Sequence, residues 1–177
     1  NFSSYRYLGG IVGSNKVGTI QNATFTGTIT EKNGSAGNCY GGIAGINKAR
    51  LSSCKVGTIY MNINGVYTAT STSTAEQKEK MATHAGGVAG KNESDAVITG
   101  CTIANDTKSQ LIAKYGMLGG ITGYNKGSVT LSGTTETAQV FADVHTVDEL
   151  HAKAPGVVSA DQSYIRWESG KNQTLEQ

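Results

Sequence analysis

Gly41-Gly42-Ile43-Ala44-Gly45-Ile46-Asn47 is a seven-residue string whose three glycines, Ile43 and closing asparagine hold set places. The same grammar recurs as Gly9-Gly10-Ile11-Val12-Gly13-Ser14-Asn15, Gly86-Gly87-Val88-Ala89-Gly90-Lys91-Asn92 and Gly119-Gly120-Ile121-Thr122-Gly123-Tyr124-Asn125. All four read G-G-[I/V]-x-G-x-N. Their starts at 9, 41, 86 and 119 are separated by 32, 45 and 33 residues, so about a dozen extra residues enter between the second and third. Internal self-similarity of this kind outranks local propensity, because one such unit cannot bury its own apolar face.

A second pattern follows each asparagine. It reads Ile20-Gln21-Asn22-Ala23-Thr24-Phe25, Leu51-Ser52-Ser53-Cys54-Lys55-Val56 and Ile98-Thr99-Gly100-Cys101-Thr102-Ile103, and decays to Val129-Thr130-Leu131-Ser132-Gly133-Thr134 in the fourth unit. Two linked patterns in four copies predict an all-β chain, a parallel β-helix or β-solenoid of about four coils, stacked at the strand spacing of about 4.8 Å. Equivalent side chains then form ladders. Ile11, Ile43, Val88 and Ile121 make one, Ile20, Leu51, Ile98 and Val129 a second, and Ala23, Cys54, Cys101 and Ser132 a column of small residues. Gly10, Gly42, Gly87 and Gly120 suit a corner that needs either positive φ or a close backbone approach. Asn15, Asn47, Asn92 and Asn125 suit a turn, and stacked amides can hydrogen-bond along their column.

Composition agrees. With 24 glycines and 1 proline, the chain excludes long helices and Pro-rich linkers alike. A net charge of +2 without a Lys/Arg run gives no footprint for nucleic acid. No apolar run is long enough to span a bilayer as a helix. Asn1 already lies within repeat-like sequence, which predicts a piece of a larger multidomain chain whose targeting signals lie elsewhere.

These residues resemble the GLUG repeat family, whose hallmark is a G-G-L-V-G-x-N core followed by an I-x-N-C-type strand. The resemblance covers about residues 5 to 138 in four copies. It departs in using Ile or Val for the family's Leu, and Cys is kept in only two units. Family members occur in bacterial surface adhesins and in secreted peptidases resembling immunoglobulin A proteases. The resemblance therefore implies an extracellular or cell-surface bacterial module, a non-catalytic spacer and adhesion or ligand-binding platform for a host protein or glycan. It also admits an accessory domain that positions substrate for a large metallopeptidase.

Residues 1–138 form the repeat region in this reading and 139–177 a short mixed cap or link to a further domain. There Thr146-Val147-Asp148-Glu149 matches a helix capping box and Pro155-Gly156 would end the helix. The insertion, about residues 66–85, is expected to project as a loop, where binding often resides. Tyr60, Tyr67 and Thr70 are the candidate ligand-contacting residues. The alternating Thr68, Thr70, Thr72 and Thr74 do not amount to an ice-binding array, since Thr24-Phe25-Thr26 faces Lys55-Val56-Gly57 one unit later.

The sequence carries no cofactor motif. His145 and His151 stand six apart with Asp148 and Glu149 between them, but no H-E-x-x-H spacing is present and no metal is expected. His84 stands alone near the insertion. Cys39, Cys54 and Cys101 form no CxxC; Cys54 and Cys101 are expected as free thiols packed as small apolar groups, with a disulfide open only if the geometry permits. Neither a phosphate-binding loop nor a G-x-S-x-G elbow occurs, and the carboxylates are scattered, so the chain is read as no enzyme, with a carbohydrate-active β-helix enzyme as the lesser alternative.

Overall fold

The computed structural model describes residues 7–31, 37–64, 72, 74, 77, 80, 83–103, 110–114, 116–130 and 139–142. The first unit supplies β1 (Tyr7–Gly9), β2 (Val12–Asn15), β3 (Thr19–Gln21) and β4 (Thr24–Glu31). The second supplies β5 (Cys39–Gly41), β6 (Ala44–Asn47), β7 (Arg50–Ser52) and β8 (Lys55–Asn64). From the third come β9 (Thr83–Gly86), β10 (Ala89–Asn92), β11 (Val97–Thr99), β12 (Thr102–Ile103) and β13 (Gln110–Lys114). The fourth gives β14 (Gly116–Gly119), β15 (Thr122–Asn125), β16 (Ser128–Thr130) and, beyond position 138, β17 (Gln139–Ala142).

The chain is all-β, and its sheets are parallel. Each unit contributes one strand to each of three four-stranded sheets, ordered β1-β5-β9-β14, β2-β6-β10-β15 and β3-β7-β11-β16. In a fourth sheet β8 is flanked by β4 on one side and by β12 and β13 on the other, and β13 pairs onward with β17. Register is kept between repeats: Gly9, Gly41, Gly86 and Gly119 are successive partners despite the longer second interval. The extra residues fall in sequence between β8 and β9, and the register on either side of them is unshifted.

The core lies between these sheets. Ile43, Leu51, Val88 and Ile98 are fully buried, as are Ile59, Met61 and Leu111. Each such side chain stabilises by about 1.5–3 kcal/mol relative to exposure. The first expected ladder runs through the backbone, with Ile11 N donating to Ile43 O (3.1 Å), Ile43 N to Val88 O (2.9 Å) and Val88 N to Ile121 O (2.9 Å). Its outermost described rung is open: Ile11 is 44% exposed while Ile121 is 6%. In the second ladder Ile20, Leu51, Ile98 and Val129 are register partners. Cys54 and Cys101 are buried in the small column, and Ser132 lies outside the described residues.

The glycines serve close approach. None of Gly10, Gly42, Gly87 and Gly120 has positive φ. A Cβ on Gly42 would stand 2.3 Å from Gly87 O, and one on Gly87 2.1 Å from Gly120 O, because these corners bond directly to the next turn of chain. The third glycine of the grammar presses one sheet onto another: a Cβ on Gly90 would meet Tyr40 N at 2.5 Å and His84 O at 2.7 Å. Positive φ falls elsewhere, at Asn22 (55°), Ser53 (51°) and Gly100 (60°), the residues immediately before the small column. Sequence reading missed that left-handed corner. Asn22 and Gly100 are its signature, which Ser53 obscures.

Asn15, Asn47, Asn92 and Asn125 form one chain of amides. Asn15 Nδ2 donates to Asn47 Oδ1 (2.8 Å), Asn47 Nδ2 to Asn92 Oδ1 (2.8 Å) and Asn92 Nδ2 to Asn125 Oδ1 (2.9 Å). The second proton of each donor reaches backbone, as from Asn15 to Arg50 O (3.1 Å) and from Asn92 to Ser128 O (3.2 Å). All four side chains are buried, so each bond lost orphans a polar group at a cost of about 1–3 kcal/mol.

Thermal or denaturant unfolding should separate these roles. Gly87→Ala should destabilise by about 3 kcal/mol or more, since backbone must shift, whereas Gly18→Ala should cost about 1–2 kcal/mol through its positive φ alone, there being no atom within 4 Å of the added methyl. Asn47→Ala, which breaks the amide chain on both sides, should lower stability more than Asn15→Ala, which breaks one link.

Candidate functional site

The described part of the candidate surface is the outer face of the fourth sheet. On β4 the burial alternates, leaving Thr24, Thr26, Thr28 and Thr30 exposed while Ile29 is buried. On β8 the alternation changes phase. Val56 is buried, but the next buried residue is Ile59, three positions on, followed by Met61 and Ile63. The register explains this: Phe25 pairs with Val56, yet Gly27 pairs with Ile59, so β8 carries one extra residue in a bulge at Gly57–Thr58. A bulge inserts one residue into one strand and re-aims the side chains beyond it.

The consequence falls on Tyr60. Strict alternation from Val56 would turn positions 58, 60 and 62 inward; the bulge turns Tyr60 and Asn62 outward instead, opposite Thr28 and Thr30. Gly57 makes room, since a Cβ there would stand 2.3 Å from Thr26 Oγ1. Asn62 Nδ2 donates to Tyr60 Oη at 3.2 Å. Residues two apart on a strand are about 6.6 Å apart, so a Tyr bonded to its i+2 neighbour lies along the strand. Tyr60 remains 37% exposed. The hydroxyls of Thr24, Thr26, Thr28 and Thr30 make no hydrogen bond to the described residues.

The other residues expected to contact a ligand, Tyr67 and Thr70, lie outside the described residues, as do His145, His151 and the expected helix near position 146. Within the insertion, Gln77 N donates to Thr74 Oγ1 (3.2 Å) and Thr74 N to Gln77 Oε1 (2.8 Å). This reciprocal pair is a capping box, and its T-x-x-Q spacing was readable in the sequence. Gln77 and Lys80 are helical and exposed.

A second group of chemically able side chains sits on the far side of the first sheet, inside the protein. Cys39 and His84 are register partners, both 2% exposed, with Cys39 Sγ 3.7 Å from His84 Nδ1. The His84 ring stands 5.2 Å from that of Tyr124, over which Lys91 and Lys126 each place an ammonium at 5.5 Å. Lys91 also pairs with Glu93 at 3.1 Å. Burial pushes the Cys39 thiol up to about 12, against the opposing pull of Lys91. Burial likewise pushes Cys101 up to about 11. A thiol held neutral at this level is a packing group and not a nucleophile at neutral pH. Cys39, Cys54 and Cys101 are all free. Desolvation raises Glu31 on β4, partly offset by a hydrogen bond from Asn38. Among the described residues no three His, Cys, Asp or Glu side chains come together as a metal site.

With this geometry in view, residues 4–30 match the GLUG motif. The match covers β1 to β4 and includes the first Gly-Gly string and the strand that bears the threonine row. The three later units are in register with it through Gly41, Gly86 and Gly119. No curated protein and no solved structure matches the chain.

The thiols supply a pH test. A thiol whose folded value is raised above its ordinary value near 9 contributes stability that is intact below pH 9 and lost as pH rises toward the folded value. The denaturation midpoint should therefore fall between pH 8 and about pH 10.5, and Cys39→Ala should flatten that fall. At pH 8 a disulfide reagent such as DTNB should label the three thiols no faster than the protein unfolds.

Proposed function

We infer that the chain is a β-solenoid, a parallel β-helix of four coils, serving as a non-catalytic module of a bacterial surface or secreted protein. It acts as a spacer and as a platform that presents a ligand-binding face. The observation that carries this reading is that each unit adds one rung to the same sheets, with the amide chain from Asn15 to Asn125 running through all four. An architecture of this kind depends on nearest-neighbour stacking and lengthens by whole units, which is what a spacer requires. The GLUG match at residues 4–30 supports an extracellular setting.

Catalysis finds little support in the described side chains. Burial holds the Cys39 and Cys101 thiols neutral, and the exposed face around Tyr60 is built from hydroxyls, an amide and a ring, without paired acids.

Duplicating one period tests the architecture. A second copy of residues 86–118 inserted after Leu118 should fold, raise the melting temperature and keep a β-sheet far-UV spectrum. Loss of cooperative unfolding in that variant would count against a solenoid. Incubation of the parent chain with polysaccharide and peptide panels should show no turnover; turnover abolished by replacing one carboxylate would overturn the non-catalytic reading.

A further inference from the structure

We propose that the Tyr60 face binds a neutral glycan, with the Tyr60 ring as the stacking surface and Asn62, Thr28 and Thr30 as hydrogen-bonding groups. This names the ligand class for the platform and rests on that reading. Three observations converge on it. The bulge at Gly57–Thr58 reverses the phase of β8 and so turns Tyr60 and Asn62 outward, at the expense of regular pairing with β4. Bulges gather beside functional sites because they re-aim side chains.

The bond from Asn62 then lays the Tyr60 ring along the strand. A partly exposed aromatic ring anchored at its hydroxyl is suited to the C–H face of a pyranose, with a polar handle at its edge. Asn62 keeps an amide proton and a carbonyl oxygen for a ligand while it holds the ring. That is the bidentate pairing which vicinal sugar hydroxyls require.

Charge decides between ligand classes. From Thr26 to Thr30 on β4 and across to Tyr60 and Asn62 on β8 there is no charged residue, and the exposed charge on the described part of these two strands is Lys55, opposite Thr24 at their other end. An anionic glycan, a nucleic acid or a membrane surface would need cations here. A protein partner would need a larger apolar anchor cluster than one half-exposed tyrosine. A hydroxylated, uncharged ligand matches a face of hydroxyls, one amide and one ring. An ice-binding array does not match, because the threonine row is one strand deep and meets Tyr60 and Asn62 across the ladder.

The test is isothermal titration of the full chain with cellohexaose, mannohexaose and xylohexaose, with trigalacturonate as the charged control. At least one neutral hexasaccharide should bind saturably, with affinity unchanged within about twofold from low to high salt. Tyr60→Ala should weaken it by about tenfold or more and Asn62→Ala by several-fold, while Tyr60→Phe, which keeps the ring, should stay within about threefold. Each variant should melt with the parent chain, since both side chains are exposed. The proposal fails if no neutral hexasaccharide binds, if binding survives Tyr60→Ala, or if trigalacturonate alone binds. The period-duplication experiment uses no ligand, so a failed titration beside a folded duplicate overturns the glycan class and leaves the platform standing.

Discussion

Four buried asparagines, linked by three amide hydrogen bonds from one repeat unit to the next, impose the constraint on which the remaining contacts depend. An amide in that position is satisfied only when its neighbours above and below are in register and at strand spacing. A slip of one residue would strand buried donors and acceptors and turn every inward aliphatic outward. Apolar ladders alone tolerate such slips poorly but do not forbid them. The amide chain gives register a directional, all-or-none character, and the parallel sheets inherit it.

The glycines answer the same constraint from the backbone side. Where Gly42 and Gly87 sit, the chain of one unit bonds to a carbonyl of the next at a distance that leaves no room for a Cβ. Where Gly45 and Gly90 sit, two sheets meet backbone to backbone. The repeat grammar is thus a map of steric exclusions: three places where a side chain is forbidden, one where it must be apolar, one where it must be an amide. The left-handed corner ahead of Cys54 and Cys101 is a separate requirement, met by Asn22, Ser53 and Gly100.

Against this regular background the second unit is exceptional in two respects. It carries the insertion, and β8 carries the bulge. Neither disturbs the ladder, because each is absorbed between fixed points: the insertion between β8 and β9, the bulge between Val56 and Ile59. While Ile59, Met61 and Ile63 stay in the core, the shifted phase sets an aromatic ring and an amide on a hydroxyl-lined surface. The proposed binding face therefore arises where the period is broken.

Much of the architecture was legible in the chain itself. Four copies of G-G-[I/V]-x-G-x-N dictated stacked strands, since one unit cannot bury its apolar face, and repetition predicted ladders at Ile43, Leu51 and their counterparts. The candidate surface was legible only in part. Tyr60 could be picked out as a tyrosine near the insertion, yet the step from Val56 to Ile59, Met61 and Ile63, which already encodes the bulge, acquires meaning only beside the uninterrupted alternation of β4. Likewise, whether Gly42 served a positive φ or a close contact was open until the next turn's carbonyl was in place. Propensity and period are properties of one segment, and these belong to sequence. Register, close approach and the side to which a residue turns are relations between segments far apart in the chain, and only the tertiary structure decides them.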